Sequence, residues 1–546
     1  MKRAGIVAAF LCVLCVSVAA RAQTPAPSTL PLVQEANLHY DGSFRVPQNW
    51  AGDEWSFSYG GTGLGFNPCK NSLFMLGDLW LNRFGEMSIP ATLGTGPVTG
   101  LPKATLLQYF TDITEGRIYQ INPADANNKL VGGILPWGTC GKLHVTGYSY
   151  YDGNGSTAVS NFVKGSQDFA KMADIAGPFT VGVVPAGMVG GYMLKTPAAW
   201  VSLLGGPALI GQCCLAIASR TSMGPALFAF DPDTVGVTNP ATAVPLVYYP
   251  NTSPLGPYNS DNQFYNGTAQ YRGVVLPNGT RSVLVFGNIG TGRFCYGPGT
   301  TNLAQDGEPV GGGSPDTYCY DLADSSKGTH GWPYKYRVLA YDANDLAAVA
   351  AKQKQPWQIT PYAAWYLTLP YAQANGGALL GGATYDEATG RIFISQERID
   401  PGNNAPALTW PVVHVFSIAG LGGTTTPPPP PPPTCSDPTA TNVGGPLPCT
   451  YPAPPPPPPP PPAIVVRSTM TVKTCTLVLE DDPPDTNGGW SVVLYRNPGV
   501  QQGYKDSTAP YRQTATVAAG TYLKSSVWTK SGQPTVTRAP VATSCP

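Results

Sequence analysis

The sequence predicts an all-β protein: a β-propeller of about five to seven irregular blades, followed by a small β-sandwich-like domain. First, short runs rich in Val, Ile, Phe, Tyr and Leu alternate with Gly, Pro, Asn and Asp clusters through most of the 546 residues, which is typical of strands and turns. Second, a unit of strand, polar turn and strand recurs at an irregular spacing of roughly 60–80 residues. Third, two proline runs separate this long body from the last segment of the chain.

The N-terminal 22 residues have the pattern of a secretory signal peptide. Met1-Lys2-Arg3 is basic, residues 4–19 are apolar and uncharged, and Ala20-Arg21-Ala22 is a small-x-small cleavage site. The apolar stretch is short for a membrane span, although an N-terminal anchor helix is the alternative. We therefore expect a secreted protein whose mature chain begins at Gln23, with residues 23–35 as a flexible leader.

Residues 36–420 form the predicted propeller. The recurring unit is found in four segments, which are 63–90, 208–232, 273–297 and 381–418. Helical periodicity is limited to DANDLAAVAAKQK (342–354) and a shorter candidate near SQDFAKMAD (166–174). A pair of β-sandwiches is the alternative architecture.

One turn in the body has a recognisable form. YDEATGRIFISQ, at 385–396, resembles the turn between inner strands that is common in secreted bacterial β-propellers, and PVVHVFSI then follows as a last blade strand would. The motif encodes a type I turn with Gly at its exit. The resemblance extends over about residues 40–418 and implies a fold, whereas function must be argued from a site.

Residues 421–463 are a proline-rich linker with an insert bracketed by cysteines. Polyproline II rises about 3.1 Å per residue, so Pro427–Pro433 and Pro454–Pro462 would span roughly 22 and 28 Å. The insert, C-S-D-P-T-A-T-N…C-T-Y, resembles a short C-x-D-x-x-A-x-N…C-x-Y module of exported bacterial and phage proteins. We interpret it as a disulfide-closed spacer; the alternative is a calcium-binding or adhesive module.

Residues 464–546 are predicted to be a small β domain rich in aromatic residues. MTVKTCTLVLE, WSVVLYRN and QTATVAAGTYLKSSVWTK have strand composition. Trp490, Tyr495 and Trp528 are candidates for stacking on sugar rings, and filling a small core is the alternative role.

Ten cysteines remain after removal of the signal peptide, an even number that indicates disulfides in an exported chain. We expect the pairs Cys435–Cys449, Cys475–Cys545 and Cys295–Cys319. The connectivity of the other four is left open: Cys69, Cys140, Cys213 and Cys214. The spacing does not match a zinc site. No cofactor is predicted, and calcium at the acidic turn 480–485 remains an alternative to a solvated turn.

Composition restricts the class of partner. Lys and Arg together number 32, as do Asp and Glu, so no net charge directs the chain to nucleic acid or to an anionic membrane. No segment after residue 22 is long and apolar enough for membrane insertion. Given the predicted secreted propeller and the aromatic C-terminal domain, we expect a glycan or a cell-surface polymer as the partner, and the sequence leaves the oligomeric state open.

Four residues are candidates for catalysis: Asp78, Glu86, His144 and Glu397. Glycoside hydrolysis needs two carboxylates about 5–10 Å apart, and LGDLW and SQERID each place an acid directly after a strand. His144 is close in sequence to Lys142, Tyr148, Tyr150 and Tyr151, a set suited to acid–base chemistry, although an ordinary strand has the same composition.

Three functions remain after these considerations. The leading hypothesis is extracellular recognition of a glycan or surface polymer, through the propeller face or the C-terminal domain. The alternatives are a polysaccharide hydrolase or lyase and a structural component of an envelope or virion.

Overall fold

The computed structural model describes residues 25–48, 56–123, 129–150, 152, 155–214, 220–259, 264–373, 375–402 and 409–421, and the backbone of eight strands between 468 and 545. The chain forms two compact units, Met1–Gly423 and Thr424–Pro546. Among the described residues, no helix has the length and apolar character needed to cross a membrane.

The first unit is mostly β-structure. Its strands are β1 (Leu38–Arg45), β2 (Leu64–Asn67), β3 (Ser72–Leu76), β4 (Phe84–Ser88), β5 (Leu106–Thr111), β6 (Lys129–Trp137), β7 (Lys142–Ser149), β8 (Asn161–Lys164), β9 (Ile175–Phe179), β10 (Met193–Lys195), β11 (Ala208–Ile210), β12 (Leu227–Phe230), β13 (Ala243–Val247), β14 (Gln270–Val275), β15 (Ser282–Gly290), β16 (Cys295–Thr300), β17 (Cys319–Tyr320), β18 (Lys327–His330), β19 (Tyr334–Asp342), β20 (Ala363–Tyr366), β21 (Leu380–Asp386), β22 (Arg391–Asp400) and β23 (Trp410–Ile418). The α-helices are α1 (Val201–Leu204) and α2 (Ala343–Ala350).

Five four-stranded antiparallel sheets account for most of these strands. Sheet 1 is β2-β3-β4-β5, sheet 2 is β6-β7-β8-β9, sheet 3 is β10-β11-β12-β13 and sheet 4 is β14-β15-β19-β20. Sheet 5 has the order β21-β22-β23-β1, so the first strand of the chain completes the last sheet. All-β is therefore the correct fold class.

The first strands of the sheets pack against one another in cyclic order. β2 contacts β6 and β21, β6 contacts β10, β10 contacts β14, and β14 contacts β21. Glycine permits this close approach: a Cβ on Gly132 would lie 1.9 Å from the carbonyl oxygen of Gly190, and one on Gly381 would lie 2.0 Å from that of Gly61. Glycine in these strands thus serves backbone packing.

Hydrophobic clusters fill the space between successive sheets. Representative buried pairs are Met75 with Phe393 between sheets 1 and 5, and Phe74 with Val145 between sheets 1 and 2. Three further clusters join sheets 2 and 3, sheets 3 and 4, and sheets 4 and 5. Each sheet therefore buries both of its faces, which explains why a central strand such as β15 is buried along its whole length.

The EATG turn between β21 and β22 has a clear local cause. Asp386 accepts a hydrogen bond from the amide of Ala388 at 2.9 Å, and Gly390 has φ +73°. An aspartate that bonds to the backbone two residues ahead stabilises a turn, and glycine accepts the left-handed conformation at its exit.

Three segments differ from the sequence-based expectation or were not foreseen. Residues 166–174 contain turns and no helix, so that prediction was wrong, whereas α2 lies inside the predicted 342–354. Residues 25–35, expected to be flexible, pack onto the unit: Val33 is fully buried and its amide donates to Ser282 Oγ at 2.7 Å. A three-stranded sheet of β16, β17 and β18 is inserted between β15 and β19.

The second unit contains two antiparallel sheets. Its strands are β24 (Ser468–Lys473), β25 (Thr476–Asp481), β26 (Gly489–Arg496), β27 (Val500–Asp506), β28 (Arg512–Thr516), β29 (Gly520–Thr529), β30 (Val536–Thr537) and β31 (Val541–Cys545). One sheet has the order β24-β25-β28, and the other has β27-β26-β29-β30 with β31 also paired to β29. The linker between the units lies outside the described residues.

Candidate functional site

Polar and aromatic residues from the first unit gather where β2, β6, β10, β14 and β21 begin. We call this end of the first unit the upper end. In each antiparallel sheet the start of the first strand pairs with the end of the second, as Lys129 pairs with Ser149 and Leu380 with Gln396. Residues that follow β3, β7, β11 and β22 therefore reach the same end of the unit.

An ion pair between Arg272 and Glu397 joins sheets 4 and 5 at the upper end. Arg272 Nη1 donates to Glu397 Oε1 at 2.6 Å, and Thr62 Oγ1, two positions before β2, donates to the same oxygen at 3.1 Å. Arg272 Nη2 donates to Gln270 Oε1 at 2.8 Å, while Nε is buried without a partner. The Glu397 carboxylate of sheet 5 thus binds Arg272 of sheet 4 and Thr62, which lies just before sheet 1.

The position of Arg272 follows from a β-bulge. The register of β14 against β15 shifts between Tyr271 and Gly273, and Arg272 is the extra residue. Equivalent shifts occur at Gly132 in β6 and around Gly381 in β21. A bulge redirects a side chain. Arg272 occupies the bulge position at which β6 and β21 have glycine, so its side chain extends into the centre of the unit.

A narrow cavity at this centre is bordered by all five first strands. The lining residues are Thr62, Gly63, Leu64, Gly132, Gly133, Ile134, Tyr192, Met193, Arg272 and Ala383. Glycine backbones and Arg272 leave little open space, so a ligand larger than a few atoms would bind above the cavity.

A disulfide between the adjacent residues Cys213 and Cys214 forms part of an apolar layer at the upper end. Both residues are buried with Leu130 and Tyr148, and the Tyr148 hydroxyl lies 3.9 Å from Cys214 Sγ. Burial raises the pKa of Tyr148 to about 12, although Arg272 and Arg220 oppose the change. The phenol therefore stays protonated at neutral pH and can donate a hydrogen bond.

Arg220 is a buried cation beside this layer. It is 4% exposed, and its Nη2 donates to the carbonyl oxygen of Tyr150. Its Nε and Nη1 atoms have no hydrogen-bond partner, and burial lowers its pKa. Asp152 attracts it electrostatically but is bound elsewhere, since its oxygens accept from the amide and hydroxyl of Ser156 and the amide of Thr157, each at 2.9 Å.

Two exposed aromatic rings stand at the same end. Trp80 is 57% exposed and Tyr150 is 44% exposed, and their ring centroids are 6.1 Å apart in an edge-to-face arrangement. The backbone amide of Trp80 donates a hydrogen bond to Asp78 Oδ1 at 2.9 Å, and this bond positions Trp80. Trp80 and Tyr150 are referred to below as the aromatic pair.

Asp78 and Glu397, two of the four predicted catalytic residues, lie at the upper end. Burial raises the pKa of Asp78, while the Trp80 amide and Arg398 oppose the change. The guanidinium of Arg398 lies 5.7 Å from the ring centroid of Tyr59. The loop after β3 and the end of β22 thus bring acidic and basic groups together.

Glu86 and His144 lie elsewhere. Glu86, buried in β4, accepts from Asn67 Nδ2, Ser72 Oγ, Lys70 Nζ and Gln108 Nε2 at 2.5–3.0 Å, an arrangement typical of a structural carboxylate. Burial lowers the pKa of His144 to about 4, and its Nε2 has no partner.

The acid–base set expected around His144 is divided along β7. Tyr148 lies four positions after His144 in β7. This corresponds to a distance of about 13 Å at the usual rise of a strand. Tyr148 contacts the Cys213–Cys214 layer, whereas the His144 ring lies nearly perpendicular to the Trp137 ring, with the centroids 6.5 Å apart. His144 is therefore a buried strand residue in this structure, apart from the upper end.

Three disulfides are present among the described cysteines. Cys295 and Cys319, paired in the sequence analysis, are bonded within the inserted sheet, and Cys69 is bonded to Cys140. The expected pairs Cys435–Cys449 and Cys475–Cys545 lie outside the residues whose side chains are described. Disulfides of this number are characteristic of proteins in oxidising compartments such as the cell exterior.

For the C-terminal candidates the structure gives backbone positions. Trp490 and Trp528 are register partners on β26 and β29, and Tyr495 pairs with Leu523. The described residues contain no cluster of three or more His, Cys, Asp or Glu that could hold a metal. The acidic turn considered for calcium falls largely outside the described part of the chain.

Sequence reasoning missed Arg220, Arg272, Trp80, Tyr150 and the Cys213–Cys214 bond as parts of one site. The adjacent cysteines were the strongest available signal, because two neighbouring cysteines are unusual. The arginines carried no local signal, since their role depends on a bulge and on burial.

Comparison with known proteins gives a limited result. No family model matches the chain, and no curated protein matches significantly. Similar solved structures include the extracellular domains of two hybrid two-component systems of B. thetaiotaomicron. The first has 10% identity and a TM-score of 0.23, covering 93% of this chain and 59% of that one. The second has 10% identity and a TM-score of 0.15, covering 87% and 66%. The chain thus spans less than two thirds of either neighbour.

Proposed function

We propose that the first unit is a five-bladed β-propeller. Three features support this: five successive antiparallel meanders, the cyclic packing of their first strands, and completion of the last sheet by β1. Pairing of the first and last strands closes such a ring without leaving the last blade incomplete. On this proposal the narrow cavity is the central channel, and the upper end is one face of the propeller.

The proposed function is extracellular recognition of a glycan or surface polymer at the upper end. The observation that carries it is the exposed aromatic pair, Trp80 and Tyr150, at the same end of the unit as the ion pair of Arg272 and Glu397. Aromatic faces pack on the apolar faces of sugar rings, and nearby charged groups bond to sugar hydroxyls.

A compartment outside the cell is consistent with the chemistry of the chain. The signal-peptide pattern and three disulfides both fit export. The proline-rich sequence of residues 421–463 predicts a stiff spacer, which suits a protein that acts on a large polymer or surface.

Hydrolysis of a polysaccharide is a second candidate. Asp78 and Glu397 lie at the same end, and the raised pKa of Asp78 is a property of general acids in glycosidases. Glu397 supplies the second carboxyl group that this reaction needs, and its Oε1 lies 2.6 Å from Arg272 Nη1.

One experiment addresses both candidates. Residues 23–546 are incubated with soluble and insoluble polysaccharides, and bound protein and released oligosaccharides are measured in the same samples. We expect binding to weaken about tenfold in Trp80→Ala and in Tyr150→Ala, because one lost ring contact contributes about 1 kcal/mol or more. Tyr109→Ala is the matched control, since Tyr109 is also 44% exposed but lies on the outer strand β5.

Each result has a distinct meaning. Oligosaccharide release that is lost in Asp78→Asn or Glu397→Gln would favour the hydrolase. Binding that survives Trp80→Ala and Tyr150→Ala but is lost in Trp490→Ala or Trp528→Ala would place recognition in the C-terminal domain and refute the proposed site. If no polysaccharide binds, the structural role becomes the better hypothesis.

A further inference from the structure

Arg220 has hydrogen-bonding capacity that the described protein residues do not use. Its guanidinium has three nitrogens, and two of them, Nε and Nη1, are buried without a partner. A buried, unsatisfied charged donor is costly, and most buried donors in folded proteins are paired. Arg272 adds a third unpaired guanidinium nitrogen, its Nε.

The nearby carboxylates do not satisfy these donors. Glu397 is held by Arg272 and Thr62, and Asp152 is held by Ser156 and Thr157. Among the described residues, Arg220 forms no ion pair within 4 Å. Both nitrogens lie beneath the surface, so an acceptor reaches them only when the residues that cover them move aside; as charged N–H donors, their natural complement is an acceptor with negative charge.

Tyr150 connects these donors to the exposed surface. Its ring belongs to the aromatic pair, while its carbonyl oxygen accepts the hydrogen bond from Arg220 Nη2. Tyr150 is therefore the residue that links the aromatic pair to the Arg220 guanidinium. Both Arg220 and Arg272 also act electrostatically on the Tyr148 hydroxyl, so the two cations share one environment.

Resting on the proposed function, we propose that the upper end binds an acidic glycan, with the carboxylate of a uronic acid bound by Arg220. A uronate has its carboxylate one bond from the sugar ring, so a single residue offers an apolar face to the rings and an anion to the guanidinium. A neutral sugar would leave Nε and Nη1 unsatisfied. The aromatic pair thus supplies contact area, and Arg220 supplies selectivity for charge.

The test compares each polyuronate with its own methyl ester, because the two polymers differ only at the carboxyl group, which in the ester has no charge and carries a methyl group. Polygalacturonate, alginate and hyaluronan, each with its ester, are titrated onto residues 23–546 at about 0.15 M salt, which screens weak surface attraction. The wild-type chain is expected to bind at least one acid form about tenfold more tightly than its ester.

Variants then assign the preference to one residue. Arg220→Gln should abolish the preference for the acid form while binding to the ester persists, and persistent ester binding also shows that the variant is folded. Arg220→Lys should retain part of the preference, because it keeps the charge but loses the planar set of donors. Lys195→Gln is the charge control: Lys195 is exposed at the end of β10 opposite the upper end and pairs with Glu387 at 2.8 Å.

Three results would overturn the proposal: equal binding of acid and ester by the wild-type chain, an unchanged preference in Arg220→Gln, or an equal loss of preference in Lys195→Gln. Binding of neutral glycans that depends on Trp80, without any preference for acid forms, would refute the acidic ligand and leave the proposed function intact. Failure to bind any glycan would refute both.

Discussion

The disulfide between Cys69 and Cys140 joins the turns of two neighbouring sheets, at the end opposite the candidate site. Cys69 lies between β2 and β3, Cys140 lies between β6 and β7, and their Cα atoms are 5.5 Å apart. Both cysteines are exposed. Replacing both by serine therefore removes the covalent link without opening a cavity in the core.

The expected loss of stability follows from the length of the closed loop. The two cysteines are separated by 71 positions. Restriction of the unfolded chain by a loop of this length corresponds to about 4 kcal/mol at 25 °C. We therefore expect the free energy of unfolding of the double variant Cys69→Ser/Cys140→Ser to fall by about this amount.

Equilibrium unfolding in urea, with the other disulfides kept oxidised, measures the difference by linear extrapolation. The Cys295–Cys319 bond closes a shorter loop of 24 positions, for which the same relation gives about 3 kcal/mol. A loss below about 1 kcal/mol for the Cys69–Cys140 variant would refute the reasoning from loop entropy. Glycan binding by the refolded variant should be unchanged, because neither turn lies at the upper end.

Two further predictions concern the residues that the structure places outside the candidate site. Glu86→Gln should lower the free energy of unfolding by roughly 3 kcal/mol, because an amide nitrogen would then face donors that now bind a carboxylate. The control is Glu387→Gln, which breaks only an exposed pair and should lower the free energy of unfolding by less than about 1 kcal/mol. Equal losses for the two variants in urea unfolding would contradict this account. The folded-state pKa of His144 is about 4, below the unfolded value near 6.5, so the unfolded chain binds the proton first as pH falls. His144 should therefore lower the free energy of unfolding by up to about 1.4 kcal/mol for each pH unit between pH 6.5 and 4. An unchanged pH dependence in His144→Gln would show that this histidine is not the cause.

Local order in this chain follows closely from its sequence. The segments 63–90 and 381–418 contain the consecutive strands expected of them, because alternating apolar runs and turn residues such as EATG act over a few positions. Helix α2 lies within the predicted segment for the same reason, since Asp342 caps it through the amide of Asn344 at 2.9 Å. The segment at 166–174 failed because amphipathic spacing alone does not stabilise a short helix.

The tertiary structure decided which residues share a site. Arg272 and Glu397 are 125 positions apart, and Thr62 is 335 positions from Glu397, so no local pattern could join them. Likewise the role of Arg220 depends on its burial beside Tyr150 and on the use of Asp152 by other donors. The sequence by itself determined the all-β character, the export pattern and the division by proline, because these depend on composition and short-range spacing. The site depends on strand register and on packing between sheets, which only the folded chain establishes.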